Sequence, residues 1–242
     1  MPLVVMTVSA DRPSYLAQTL SSWLQARDRK RWEFCFVLEP GQHFTECEEL
    51  IQTWRSISGV SESYISYNSQ RRGVADNPHM ALSWGFTQSP FVVLAEEDVL
   101  VSTDVLEFFT AMSEQHEDST ALGVCAFSRG GDGLSGEYEA RQDFSPLVWG
   151  TWRDRWTEVI EPRWHDALNG PVPGVEAGWD WGMRRIMAAV DRPFLTPVQS
   201  RSQHIGEHGV HMLPADFPAS LSPSFVQHRR PVLYRQRVPD AL

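Results

Sequence analysis

The chain has 242 residues, 42% of them hydrophobic, and sets 31 acidic against 21 basic side chains for a formal charge of −10. That length suits one sizeable core, and the acidic balance excludes a protein whose whole surface embraces nucleic acid or an anionic membrane. Three cysteines, Cys35, Cys47 and Cys125, without C-x-x-C spacing suggest neither a disulfide framework nor a thiolate zinc site; no apolar stretch reaches the ~20 residues of a membrane helix and no basic segment precedes the first apolar run, so a soluble, cytoplasmic protein is expected.

In chain order, Leu3 to Val8 is a β-branched apolar run that predicts a strand. In SADRPSYLAQTLSSWLQ, Pro13 suits a first helical turn, and Leu16, Leu20, Trp23 and Leu24 recur at helical spacing. FCFVLEPG (34 to 41) predicts a second strand ending in an acid and a Pro-Gly turn, with a helix from Thr45 to Ile57 after it. SYISY (63 to 67) predicts a third strand and Val74 to Phe86 a third helix. PFVVLAEEDVLVSTDVLEFF (90 to 109) supplies a fourth strand, then Ser102-Thr103-Asp104 as the cap of a helix with Val105, Phe108, Phe109 and Met112 on its apolar face. ALGVCAF (121 to 127) is a fifth strand. This alternation predicts a three-layer α/β/α sandwich on a mostly parallel sheet.

The remainder is less regular. RGGDGLSGEYEARQD (129 to 143) carries four glycines without apolar period and reads as a mobile loop, placed to close over a bound ligand. Six of the ten tryptophans fall between Trp149 and Trp181. The tail from Pro214, with prolines at 214, 218, 223, 231 and 239, reads as an extended wrap.

The chemistry concentrates at Glu96-Glu97-Asp98. Three carboxylates ending a wholly apolar strand repel one another unless a cation is shared, and ligands of open α/β sheets bind at the carboxyl ends of parallel strands. Acids at such a place also begin loops or cap helices, but here Ser102 and Thr103 already serve as caps. Hard cations such as Mg²⁺ or Mn²⁺ take one or two carboxylates and complete their shell with water and phosphate oxygens, a vacancy that a diphosphate fits. Ser9-Ala10-Asp11-Arg12 after the first strand and Glu39 after the second face the same rim; Arg12 suits a phosphate, and an acid suits a base or ribose.

VVMTVSADRP, the strand ending in Glu39, Asn77 ahead of ALSWGF, and FVVLAEEDVLVSTDVLEFF together resemble the nucleotide-sugar-binding half of GT-A glycosyltransferases, most of all the N-acetylglucosaminyltransferase I family. DFSPLVWGTWRDRWTEVIEPRW (143 to 164) resembles that family's approach to its acceptor site, and GWDWGMRR (178 to 185) the segment carrying its catalytic base. The resemblance implies one GT-A domain over 1–242, with a nucleotide-sugar-binding half over 1–128, an acceptor and catalytic half over 129–213, and the tail over 214–242. It implies Asp98 as metal ligand, Glu96 near the donor's ribose and sugar, and Arg12 as a donor-binding arginine. Glu97 stands where the family has Asp, Glu39 where it has a uracil-contacting Asp, and Asn77 where it has a base-contacting His. The donor so implied is a UDP-sugar, UDP-GlcNAc among the candidates.

Asp180 matches the family's general base, which takes the acceptor's proton in a single inverting displacement. The plain alternatives are a helix N-cap or a partner for Arg184. In SRSQHIGEHGVHM (200 to 212), His204, His208 and His211 suggest a zinc site, although Glu207 is out of place for H-E-x-x-H; by resemblance His204 completes the metal shell, and a structural role is its alternative. A His-cluster metal hydrolase and a nucleotide-sugar-binding module without turnover therefore stand beside the transferase. The acceptor is open among a protein, a glycan, a lipid-linked sugar and a hydroxymethylated base of DNA. For the last, Arg229, Arg230, Arg235 and Arg237 with Arg71 and Arg72 would line a phosphate track, as suits a phage that decorates its own DNA.

Overall fold

The computed structural model describes residues 1–117, 119–168, 178–208, 215 and 217–237. Four parallel strands, β1 (Leu3–Val8), β2 (Glu33–Leu38), β3 (Ser63–Tyr67) and β4 (Phe91–Glu96), run in the order β3-β2-β1-β4. Alternate residues of β1 face different layers. Val4, Met6 and Val8 pack with Leu16, Leu20 and Trp23 of α1 (Pro13–Gln25), with Ile51 and Trp54 of α2 (Phe44–Ser58), and with Phe108 and Phe109 of the helix Val105–Gln115. Leu3 and Val5 pack with Ala81, Leu82 and Phe86 of α3 (Gly73–Gln88) and with Met183 and Ile186 of the Trp179–Val190 helix. Helices on both faces explain why β1, β2 and β4 read as unbroken apolar runs rather than alternating ones, whereas β3, at the sheet edge, is polar and part exposed. This is the expected three-layer α/β/α arrangement.

Beyond β4 the sheet departs from the simple alternation. The order continues through β8 (Trp149–Trp152), β6 (Gly123–Cys125), β9 (Phe194–Pro197), β7 (Glu137–Arg141) and β11 (Arg235–Gln236), with β8 antiparallel to both β4 and β6. A separate antiparallel ribbon joins β5 (Val99–Val101) to β10 (Ser202–His204). The Gly-rich segment 129–143 is therefore not a loop throughout: Glu137–Arg141 is a sheet strand with Tyr138 buried between β9 and β11. Strands of two to five residues whose partners lie far away in sequence carry too few alternations to announce themselves.

The predicted cap also differs. Asp104 is the N-cap of the Val105–Gln115 helix and makes no side-chain cap bond. Ser102 Oγ instead donates to Asp104 Oδ1 at 2.6 Å, and the Asp104 carboxylate turns toward Arg201 at 3.3 Å, both residues being fully buried. The C-terminal segment lies along this pair, with Tyr234 packed against Phe108; Pro214 and Pro239 lie outside the described residues. All three cysteines are buried and unbridged, and burial pushes the Cys35 and Cys125 thiols up to about 12, which leaves them inert. No described helix is long and apolar enough to cross a membrane.

Candidate active site

Glu96 is the last residue of β4, and Glu97 and Asp98 form the turn into β5. Two hydroxyls of α1 fix that turn: Thr19 Oγ1 donates to the Glu97 carbonyl at 2.8 Å, and Ser22 Oγ accepts from the Val101 amide at 3.1 Å. Neither residue was singled out in the sequence, where their only signal is a pair of hydroxyls on the apolar face of a helix. Pairing of β10 with β5 then sets His204 opposite Val99, one residue past Asp98.

Arg12 bridges the acids, with Nη2 2.6 Å from Glu97 Oε1 and Nη1 2.7 Å from Asp98 Oδ2. Ser9 Oγ donates to the same Glu97 oxygen at 2.6 Å. Burial works against the Arg12 charge, but Glu97 and Asp98 outweigh it and raise its pKa. Burial would likewise raise Asp98, yet the His204 hydrogen bond and the Arg12 charge hold it below the ordinary carboxylate range. Glu96 goes the other way, pushed up to about 8 by burial first and then by Asp98 and Glu97, with Asp180 adding to the effect.

Glu96 therefore keeps in the folded state a proton that the unfolded chain releases near pH 4.5. A raised carboxyl costs stability as pH rises between the two values, so the metal-free protein is expected to weaken from about pH 5 to about pH 8 and to level off above. Urea midpoints in EDTA at several pH values check this, and Glu96→Gln is expected to flatten the slope. Midpoints that climb with pH in the wild type and the variant alike would contradict it.

The residues present fit a hard divalent cation. His204 Nε2 lies 3.6 Å from Asp98 Oδ2. The Ser220 hydroxyl donates to the Phe217 carbonyl at 2.7 Å, so its oxygen receives Nδ1–H of His204 at 3.0 Å, and Nε2 is the ring nitrogen turned toward the carboxylate, where a cation would take the place of its proton. Two ligands at right angles on bonds of about 2.1 Å stand about 3 Å apart, slightly closer than this pair. Gly206 leaves the space between them open: a Cβ there would overlap Asp98 Oδ2 and sit 2.8 Å from His204 Nε2. Among the described residues no three His, Cys, Asp or Glu side chains gather as a metal site, so the rest of a shell would fall to water and phosphate. Gly206→Ala is accordingly expected to lower Mn²⁺ affinity at least tenfold, read by calorimetric titration; unchanged affinity would place the cation elsewhere. The three-histidine zinc site does not form among these residues, since His208 is exposed, with its amide on the Tyr15 hydroxyl at 3.2 Å, and His211 lies outside the described residues.

The remaining predicted residues divide. Glu39 is buried and accepts from the Arg72 and Gly73 amides at 2.6 and 3.1 Å, which makes it a cap for α3 from a distance. Asn77, also buried, accepts at Oδ1 from Asn68 Nδ2 at 2.9 Å. Asp11 does not cap its own helix: it pairs with Arg71 and accepts from the Gln42 amide at 3.1 Å, and although burial would raise its pKa, these partners lower it. Asp180 lies in the first turn of the Trp179–Val190 helix, whose N-cap is Gly178 without a side-chain cap bond. Arg184 pairs with Asp143 at 3.0 Å instead. The phosphate track is not laid out as expected, because Arg229 is buried among Ser135, Gln199 and the Ser200 and Ser224 carbonyls, while Arg235, Arg237 and Arg71 pair with Glu137, Glu139 and Asp11.

A parallel half, an acid-rich turn after its fourth strand and an antiparallel extension make up a GT-A-like fold, which the chain shares with solved nucleotide-sugar enzymes. No protein-family model matches the chain. Among solved structures it is similar to TarS 1–349 of S. aureus, with 12% identity and a TM-score of 0.58 over 86% of this chain and 61% of that one; TarS is also solved in complex with UDP-GlcNAc. It is similar to the mannosyltransferase PcManGT of Pyrobaculum calidifontis in complex with GDP-Man and Mn²⁺, with 16% identity and a TM-score of 0.53 over 81% of this chain and 54% of that one. A nucleoside-diphosphate-sugar pyrophosphorylase of Vibrio cholerae RC9 shares the fold over 91% of this chain and 99% of its own, with 11% identity and a TM-score of 0.55. The chain thus spans less than two thirds of the TarS fragment and of the mannosyltransferase. Since the third neighbour carries a different activity, reaction type has to be argued from the site.

Proposed function

We propose that this protein is a divalent-metal-dependent glycosyltransferase, which moves a sugar from a nucleoside-diphosphate sugar to an acceptor hydroxyl with inversion. The observation that carries this reading is the Asp98–His204 pair facing across Gly206, with Asp180 near enough to Glu96 to raise its pKa. Two of the fold's neighbours, solved with UDP-GlcNAc and with GDP-Man and Mn²⁺, support a nucleotide-sugar donor. The resemblance to the N-acetylglucosaminyltransferase I family points to a UDP-sugar, with UDP-GlcNAc among the candidates.

In this reading residues 1–128 hold the donor and 129–213 the acceptor. Asp98 and His204 would hold Mn²⁺ or Mg²⁺, which would neutralise charge on the diphosphate. Arg12 swings from Glu97 and Asp98 onto phosphate oxygens, a planar fork suited to them. Glu96 and Glu97 face the ribose and sugar, Ser9 and Asp11 shape the loop beneath them, and Glu39 and Asn77 border the base. The acceptor oxygen bonds to the anomeric carbon as the bond from that carbon to the diphosphate oxygen breaks; the nucleoside diphosphate departs, and the acceptor's proton passes to Asp180.

Thermal unfolding against a panel of nucleotide sugars with Mn²⁺, Mg²⁺ or EDTA tests the donor site. A ligand at ~100 times its Kd stabilises by about 2.7 kcal/mol. At least one nucleotide sugar is expected to do so only with metal, and Asp98→Ala to abolish the shift. A panel that moves nothing in any metal would end the reading.

A further inference from the structure

The aromatic segment holds one residue out of place. Trp149, Trp152, Trp156, Trp164 and Trp179 are at most 5% exposed, whereas Trp181 is 39% exposed. A single exposed apolar side chain is ordinary on a protein surface; the position of this one is not. It follows Asp180 in the first turn of the Trp179–Val190 helix. A Cβ on Gly178 would overlap Asp180 Oδ1 and lie 3.6 Å from Trp181 Cδ1, so the carboxylate and the indole edge border one notch, kept open by the missing side chain.

The ring is also braced. The Arg184 guanidinium carbon stands 4.9 Å from the Trp181 centroid, and Arg184 is itself tied to the Phe144 carbonyl at 3.1 Å and to Asp143 at 3.0 Å. A guanidinium stacked on an indole orders the ring before any ligand arrives, and the ring stays part exposed although Arg184 lies against it.

Resting on the transferase reading above, we infer that Trp181, braced by Arg184, is the acceptor platform, and that the acceptor is a neutral glycan. A pyranose presents an apolar C–H face that lies flat on an indole, with its hydroxyls at the rim, and such a pose brings one hydroxyl to Asp180. Charge selects the class. Glu97, Asp98 and Asp180 crowd this rim around the protonated Glu96 with Arg12 as their nearby cation, and Arg184 is already matched by Asp143. A polyanion such as DNA would approach against that field, whereas a neutral sugar meets no such barrier.

The test uses the protein with ¹⁵N-labelled tryptophan, loaded with Mn²⁺ and whichever nucleoside diphosphate stabilises it; Trp181→Phe identifies the Trp181 indole resonance. The probes are diacetylchitobiose, lactose, mannobiose and a duplex oligonucleotide containing hydroxymethylcytosine. At least one glycan is expected to shift the Trp181 resonance, and Trp181→Ala to weaken its binding at least tenfold while the metal-dependent thermal shift with nucleotide stays intact. Silence at Trp181 from every glycan, a response to the oligonucleotide alone, or unchanged glycan affinity in Trp181→Ala would each overturn the platform and leave the donor site standing. Absence of any nucleotide stabilisation in the wild type would instead mark the failure of the transferase reading, and the platform would fall with it.

Discussion

Replacing Asp180 by Asn is expected to cut sugar transfer by about 10²–10⁴-fold, the usual worth of a positioned proton acceptor, while leaving donor binding intact. Asn fills the notch at Gly178 almost as Asp does, so the helix start is preserved. It cannot accept the acceptor's proton at neutral pH. It leaves Asp98, His204 and Arg12 untouched, so metal and nucleotide should still bind. The informative pattern is a collapse of kcat with the metal-dependent thermal shift retained. If turnover survives, Asp180 is not the base, and Glu96 is the next carboxylate to replace. If the thermal shift disappears as well, Asp180 supports the donor site rather than the acceptor.

The second large effect concerns the fold that carries the site. Arg201 is fully buried, faces Asp104 Oδ2 at 3.3 Å, lies under Phe108 and Tyr234, and donates to the carbonyls of Gln199 and Ser135. It thereby joins the start of the Val105–Gln115 helix, the segment ahead of β7 and the C-terminal tail. Removing one member of a buried pair strands the other charge, at a cost of about 3–5 kcal/mol. For a chain of this size that corresponds to a fall in Tm of roughly 10 °C. Arg201→Ala should therefore unfold early, in urea as in heat, with Asp104→Ala close behind. The joint replacement Arg201→Met with Asp104→Leu, which leaves no charge behind, should recover most of the loss. A Tm for Arg201→Ala within two or three degrees of wild type would show that the pair is solvated in solution. Because β10 begins at Ser202, the same substitution is expected to loosen His204 and weaken Mn²⁺ binding, which separates it from a purely distal defect.

The two effects differ in how far they could be read from the residues. Asp180 stood out through its segment, GWDWGMRR, and through a resemblance that assigned it a role. Arg201 and Asp104 did not: Asp104 read as part of a helix cap, and nothing in the spacing around Arg201 set it apart. Hydrogen bonding inside a low-dielectric core turned both into a buried network, and nothing in local spacing signals that outcome.

What the sequence by itself determined is the parallel half and its chemistry. The runs from Leu3 to Met112 carry their periods within each segment, two faces buried in β1, β2 and β4 and one per helix, so strands and helices could be placed within a few residues of where they lie. The acids at the ends of β2 and β4 were visible because carboxylates after an apolar run are conspicuous in any register. Tertiary structure alone decided the rest. Pairing of β10 with β5 brought His204 to Asp98, Ser220 oriented the imidazole, and Gly206 left the room between them. Packing decided that five neighbouring tryptophans go inside while Trp181 stays out beside Asp180. The reason is one of range: hydrophobic period is a property of adjacent turns, whereas register between distant strands, the direction of a shared hydrogen bond and the volume of a missing methyl exist only once the chain has closed on itself.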